Sequence, residues 1–211
     1  AKITVTAQGV CTKYGITVKF ESDEKNPVTK YSHANQPAWT DSCVEFFLAP
    51  YPDEKGNYLN FEQSLGGALL LQKGPNAADR VYIPHSDEYF ETEKQIDENG
   101  WKIKFFIPFS FIDKHFATMN KKFRGNFQFC CEDKDVYLTW NRIENPFPAF
   151  HKPEYFGEMT LDMSVLDRMT AECIKYGYNV FEMCEMTENG VDDRTFLPSE
   201  PTHFSYSITK C

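Results

Sequence analysis

The segment Trp101-Lys102-Ile103-Lys104-Phe105 alternates large apolar side chains with lysine, the pattern of a strand with one covered face. A helix would spread those lysines around its circumference, so this stretch requires a sheet whose inner face packs on something apolar. Comparable short runs, alternating or rich in aromatics, recur at 3–6, 14–20, 43–48, 58–63, 68–72, 80–83, 89–95, 125–131, 136–140 and 155–161. Gly, Pro, Asn and Asp clusters at 53–57, 66–67, 97–100 and 145–148 separate them. Aromatic residues make up 16% of the chain, and aromatics favour pleated, half-buried surfaces. Many short strands with no helices alternating between them predict an all-β fold, an antiparallel β-sandwich of jelly-roll type. One short helix is expected at 110–116, after Pro108, and Trp101 is read as core.

The last fifty residues read differently. Leu166, Met169 and Cys173 recur at helical spacing within 163–176, and Gly177 suits the end of such a helix. An acidic, turn-rich stretch follows, and 202–208 then alternates like a strand. The expected organisation is a sandwich over 1–161 and a helix-plus-strand extension over 162–211 packed upon it. Alternatively, 197–208 is a permuted part of the same sandwich.

Charge narrows the partners. The formal net charge is −9, which repels a phosphate backbone, so nucleic acid is not an expected partner. No apolar run approaches the roughly 20 residues of a membrane span. The seven cysteines are scattered, with no Cys-x-x-Cys pair and no zinc spacing; Cys43, Cys130 and Cys131 are read as small core hydrophobes. Removal of a leader before Ala1 would place the protein outside the cytoplasm, and without one it would be cytoplasmic.

Three stretches carry chemistry. Around 38–48, pleating sets Cys43, Glu45 and Phe47 on one face and Val44 and Phe46 on the other. A carboxylate among aromatics is costly to bury, so Glu45 either pairs with a basic group or lines a ligand groove. In the next strand, Tyr58, Asn60 and Glu62 share a face. Planar carboxylates and amides match the paired hydroxyls of a pyranose, although a solvated sheet face would look the same. Trp140-Asn141 closes a third strand, and its indole is a candidate wall opposite Trp39 for stacking a sugar ring.

Several motifs stand in consistent order from about residue 10 to 161. They are Trp39-x-Asp41-Ser42-Cys43-Val44-Glu45-Phe46-Phe47-Leu48, Tyr58-x-Asn60-Phe61-Glu62, Ile107-Pro108-Phe109, Arg124-Gly125-Asn126-Phe127, Tyr137-Leu138-Thr139-Trp140-Asn141 and Phe150-His151-x-Pro153-x-x-Phe156-Gly157. Together they resemble the family 9-like carbohydrate-binding modules, which are β-sandwiches. The resemblance implies that Trp39 and Trp140 sandwich a terminal sugar while Glu45 and Asn141 bond its hydroxyls; the chemistry of the neighbouring strand adds Asn60 and Glu62 as candidates. It also implies a site arginine, for which Arg80 and Arg142 both qualify. Some members carry structural calcium, but the acidic residues here show no calcium-loop spacing. The expected function is non-catalytic binding of an oligo- or polysaccharide with no cofactor. The alternative is a glycoside hydrolase using Glu45 and Glu62 as its carboxylate pair. A haem protein is a third and weaker reading, because the five histidines are isolated in sequence.

Overall fold

The computed structural model describes residues 2–12, 14–50, 56–116, 119–161 and the backbone of 205–208. In chain order the strands are β1 (Val5–Cys11), β2 (Gly15–Ser22), β3 (Cys43–Ala49), β4 (Tyr58–Ser64), β5 (Leu69–Gly74) and β6 (Val81–Tyr82). They continue with β7 (Glu93–Asp97), β8 (Gly100–Pro108), β9 (Lys122–Cys131), β10 (Val136–Thr139), β11 (Gly157–Thr160) and β12 (Ser205–Ile208). Five form one sheet in the order β12-β1-β2-β8-β7. The other seven run β10-β9-β3-β4-β5-β6, with β11 pairing on β9. Every pairing between described strands is antiparallel, and the two sheets face each other as a sandwich.

The alternation read from the sequence fills the space between them. Trp101, Ile103 and Phe105 of β8 are buried, and they meet Phe46, Phe61, Phe127 and Phe129 in one apolar cluster. Lys102 and Lys104 point away from it, bridged to Glu21 and Glu93. Glu24 is the polar post of this core. Its carboxylate accepts from Trp101 Nε1 at 2.9 Å, Ser42 Oγ at 3.0 Å and Lys134 Nζ at 2.5 Å. Gly100 closes the β7–β8 hairpin at φ +148°, where an added Cβ would lie 1.9 Å from the Ser22 carbonyl oxygen.

Two boundaries move from their expected places. The helix α1 is Phe109–His115, starting directly on Pro108. The strand expected at 89–95 begins only at Glu93, because Glu91 adopts φ +49° and Tyr89 and Glu91 bond back to Ser86 and Glu88. That turn drops Phe90 into the core. The helix expected at 163–176 lies outside the described residues, as does most of the 162–211 extension. Its described piece, β12, pairs with β1 in the register Val5↔Ile208.

Candidate functional site

The outer face of the seven-stranded sheet carries a grid of polar groups. Register sets Glu62, Glu45 and Gln128 side by side on β4, β3 and β9, and beside them Ser64, Cys43, Cys130 and Tyr137 across β4, β3, β9 and β10. Because Val44, Phe46 and Leu48 of β3 turn inward, Cys43, Glu45 and Phe47 must turn outward. This face is nonetheless buried, since the segment 141–156 folds back across it and the turn at 38–40 closes one end.

The covering segment is tied down at both ends. Asn126 Nδ2 donates to the Asn141 carbonyl at 3.0 Å, and the Asn141 amide N–H donates to Asn126 Oδ1 at 2.9 Å. Asn141 Nδ2 reaches the Tyr155 carbonyl at 2.6 Å, and Arg124 donates to the carbonyls of Glu154 and Phe156. Between these ties His151 stacks on Phe47 with centroids 4.7 Å apart. Burial, reinforced by the Arg80 charge, lowers the imidazole to about 3, so the ring is neutral. Its Nε2 therefore accepts from Arg80 Nη1 at 2.6 Å, which leaves Nδ1 to donate to Tyr58 Oη at 2.8 Å.

These elements enclose a cavity of about 290 Å³. Glu45, Glu62, Gln72, Arg80, Glu132 and His151 supply its polar lining, and Trp39, Tyr82, Tyr137 and Phe150 its aromatic walls. Trp39 is 40% exposed. It is held there by the 3₁₀ turn Ala38–Thr40, whose Ala38 is buried and whose neighbour Asp41 accepts the amides of Lys30 and Tyr31.

The two glutamates are unlike surface carboxylates. Burial pushes Glu45 up to about 7 against the opposing pull of the Cys130 thiol and Arg80. Burial and the facing Glu45 push Glu62 well above the usual range, although Arg80 stands 3.7 Å away and Asn60 Nδ2 donates to it at 2.9 Å. The Cys130 thiol donates to Glu45 at 3.0 Å and also contacts the Trp39 carbonyl at 3.3 Å. Asn60 Oδ1 and both amide atoms of Gln128 are buried with no protein partner. Both residues lie beneath the cavity and outside its lining.

Of the residues singled out from the sequence, the structure brings Trp39, Glu45, Glu62 and Arg80 to this cavity, with Asn60 beneath Glu62. It does not bring Trp140 or Asn141. Strand parity turns Trp140 inward with Val136 and Leu138, where it packs on the core, tilted against Phe127 at 5.9 Å and filling the space above Gly157. Asn141 anchors the covering segment instead. A clamp of two tryptophans around this cavity is therefore not formed; the remaining aromatic walls are tyrosine and phenylalanine. Arg142 lies apart, exposed beside Glu144. Cys131 belongs to the main core, and Cys43 and Cys130 to a second buried apolar cluster with Ala38, Ala68 and Leu70, as expected; Cys130 also lines the cavity. Gln72, Tyr82, Glu132, Tyr137, Phe150 and His151 are among the lining residues that the sequence did not single out.

An antiparallel sandwich with a polar, aromatic-walled cavity on one outer face defines a small-ligand-binding β-sandwich. The family model of carbohydrate-binding family 9 matches residues 4–161, and the chain belongs to that family. A proposed carbohydrate-binding protein from Bacteroides uniformis ATCC 8492 shares the fold at TM-score 0.66 and 24% identity, over 77% of this chain and 80% of that one. A family 9 carbohydrate-binding module from Caldicellulosiruptor kristjanssonii, solved in complex with glucose, does so at TM-score 0.51 and 14% identity, over 77% and 78%. At these identities the likeness carries the fold. No curated protein matches the chain. No described helix is long and apolar enough to cross a membrane.

Proposed function

We propose that the cavity over β3, β4 and β9 binds a neutral sugar residue of an oligo- or polysaccharide without cleaving it. Trp39 provides a flat apolar face for the ring, and Glu45, Glu62, Gln72 and Arg80 provide acceptors and donors for its hydroxyls. The observation that carries this reading is the pairing of a 40% exposed indole with buried, fixed polar groups in one cavity. A solvent-exposed aromatic gains by stacking, and the carboxylate, amide and guanidinium groups that line the same cavity can bond hydroxyls, so a hydroxylated ring serves both. The volume is at the small end of the roughly 300–1,000 Å³ of ligand sites, which suits one or two rings better than a long stretch of chain.

Hydrolysis has one observation in its favour, the buried pair Glu45 and Glu62 on adjacent strands. A glycosidase needs one carboxyl protonated and the other ionised, on either side of the scissile bond. Here both are pushed upward and both lie in the cavity floor, so binding fits the arrangement better.

Calorimetric titration with glucose and then with a panel of neutral oligosaccharides tests the proposal. Binding that is lost in Trp39→Ala and insensitive to salt is expected. Release of reducing ends, abolished by Glu62→Gln, would establish the hydrolase instead.

A further inference from the structure

The geometry points to a second ligand for this cavity floor, a thiophilic dication such as Zn²⁺ or Cd²⁺ held by Cys43, Cys130 and Glu45. Their ligand atoms all lie within 4.8 Å of one another, and all three side chains are buried. Among the described residues this is the one cluster of cysteine, histidine and carboxylate with such spacing. Metal–sulfur bonds near 2.3 Å and metal–oxygen bonds of 2.0–2.2 Å place the ligands of a tetrahedral ion ~3.3–3.8 Å apart. The trio therefore needs to close by no more than about 1 Å, within the reach of side-chain torsions.

The scaffold suits an ion. Cys43 and Cys130 are direct register partners on β3 and β9, so two central strands fix the sulfurs. The Trp39 carbonyl oxygen, 3.3 Å from Cys130 Sγ, offers a fourth donor. Entry is open, because Glu45 and Cys130 line the cavity. An independent observation comes from Gln128. It stands opposite Glu45 in the register, is fully buried, and has neither amide atom bonded to protein. Its amide is thus left free to become the outer hydrogen-bond partner of Glu45 once that carboxylate ligates an ion. Two sulfurs and few oxygens select against calcium and magnesium, which take six or more oxygen ligands, and for soft d¹⁰ ions.

The proton balance is definite. Two thiols, the Glu45 carboxyl and M²⁺ give a bis-thiolate, carboxylate complex and two protons from the sulfurs plus the one that Glu45 holds when protonated, with no change of oxidation state, so affinity should rise with pH. The ion takes Glu45, which the proposed sugar site also uses, so metal and sugar should oppose each other. That coupling rests on the sugar-site reading, whereas the metal site does not.

The test uses reduced full-length chain with Cys173, Cys184 and Cys211 changed to serine, titrated with Cd²⁺. One equivalent should bind, with ultraviolet thiolate-to-cadmium charge transfer from two sulfurs. Loss of an outer partner alone costs 10–100-fold in metal affinity, and Cys130→Ser or Cys43→Ala should each cost at least ~10-fold and remove the two-sulfur band. Circular dichroism checks folding. If Cys43→Ala does not fold, Cys130→Ser, which keeps an O–H donor for Glu45, decides. Absence of the band in the folded parent, or a band unchanged in a folded variant, would overturn the site. Glucose titrations with and without saturating Cd²⁺ separate the two readings. Cadmium binding without binding of glucose or of any oligosaccharide in the panel leaves the metal site standing and removes the sugar site. Glucose binding unaffected by cadmium removes the shared use of Glu45.

Discussion

Glu45 and Glu62 stand directly opposite each other on β3 and β4, both buried. Like charges facing across a strand pair repel, and the low-dielectric surroundings magnify this, so near neutral pH the two hold protons that free carboxylates would release. Arg80, whose Nη1 is bonded to His151, offsets only part of the cost.

Stability should therefore depend on Glu45 in a defined direction. Its folded pKa, about 7, lies above its ordinary value of 4.5. The stabilising contribution is complete below about 4.5 and is lost as pH rises through 7. Glu45→Gln lacks that slope, so its stability relative to the parent should grow between pH 5 and pH 8, by at most ~3 kcal/mol at 1.36 kcal/mol per unit. Urea midpoints of both proteins across that range provide the check, and parallel pH profiles would contradict it.

His151 has the opposite sign. Its folded pKa of about 3 lies below 6.5, so its contribution is complete above 6.5 and is lost as pH falls toward 3. The parent's stability advantage over His151→Gln should be largest near pH 7.5 and shrink on acidification, with ~5 kcal/mol as the upper bound. An advantage that is constant from pH 7.5 to 4 would show that the ring is not held neutral.

The two tryptophans should separate cleanly. Trp39→Ala should cost ~2–4 kcal/mol of sugar affinity, the range of aromatic hot spots, and little stability. Trp140→Ala should instead cost ~3–5 kcal/mol of stability, as large-to-small core changes do. Paired melting curves and titrations decide, and a Trp140 variant that folds like the parent but fails to bind would restore the two-tryptophan clamp.

Glu24→Ala should be among the most damaging single changes. It removes the carboxylate from Lys134, which keeps only the carbonyls of Lys25 and Asn26, and it leaves the Trp101 N–H and Ser42 hydroxyl without their acceptor, each buried donor so left costing ~1–3 kcal/mol. Equilibrium unfolding measures this directly. A loss below about 1 kcal/mol would mean that water replaces the carboxylate without penalty.

The sandwich was legible because alternation is a local property. Residues 101–105 and 43–48 show their inner and outer faces by parity alone, and the cores of β3, β4, β8 and β9 fall where that parity puts them. Glu45 and Glu62 were legible for the same reason. His151 was not, since its partners Arg80 and Tyr58 lie 71 and 93 residues away and only the folded-back segment brings them together. Cys130 needed the β3–β9 register, which no short window contains. Trp140 shows the reverse: its place at a strand end and its motif suggested a wall, whereas its parity with Leu138 turns it inward in the fold.

The covering segment 141–156 also makes the cavity conditional. Arg124, Asn126 and Asn141 fasten its two ends, but His151 and Phe150, which complete the wall, stand on the span between them. Whenever that span lifts, Arg80 loses its imidazole partner and the sheet face opens, so only the fastened fraction of molecules is competent to bind. Apparent affinity is intrinsic affinity scaled by that fraction. Residues such as Asn126 and Arg124, which lie outside the cavity lining, would thereby set how tightly a ligand is held. Occupancy in turn should slow hydrogen exchange at the amides of the span.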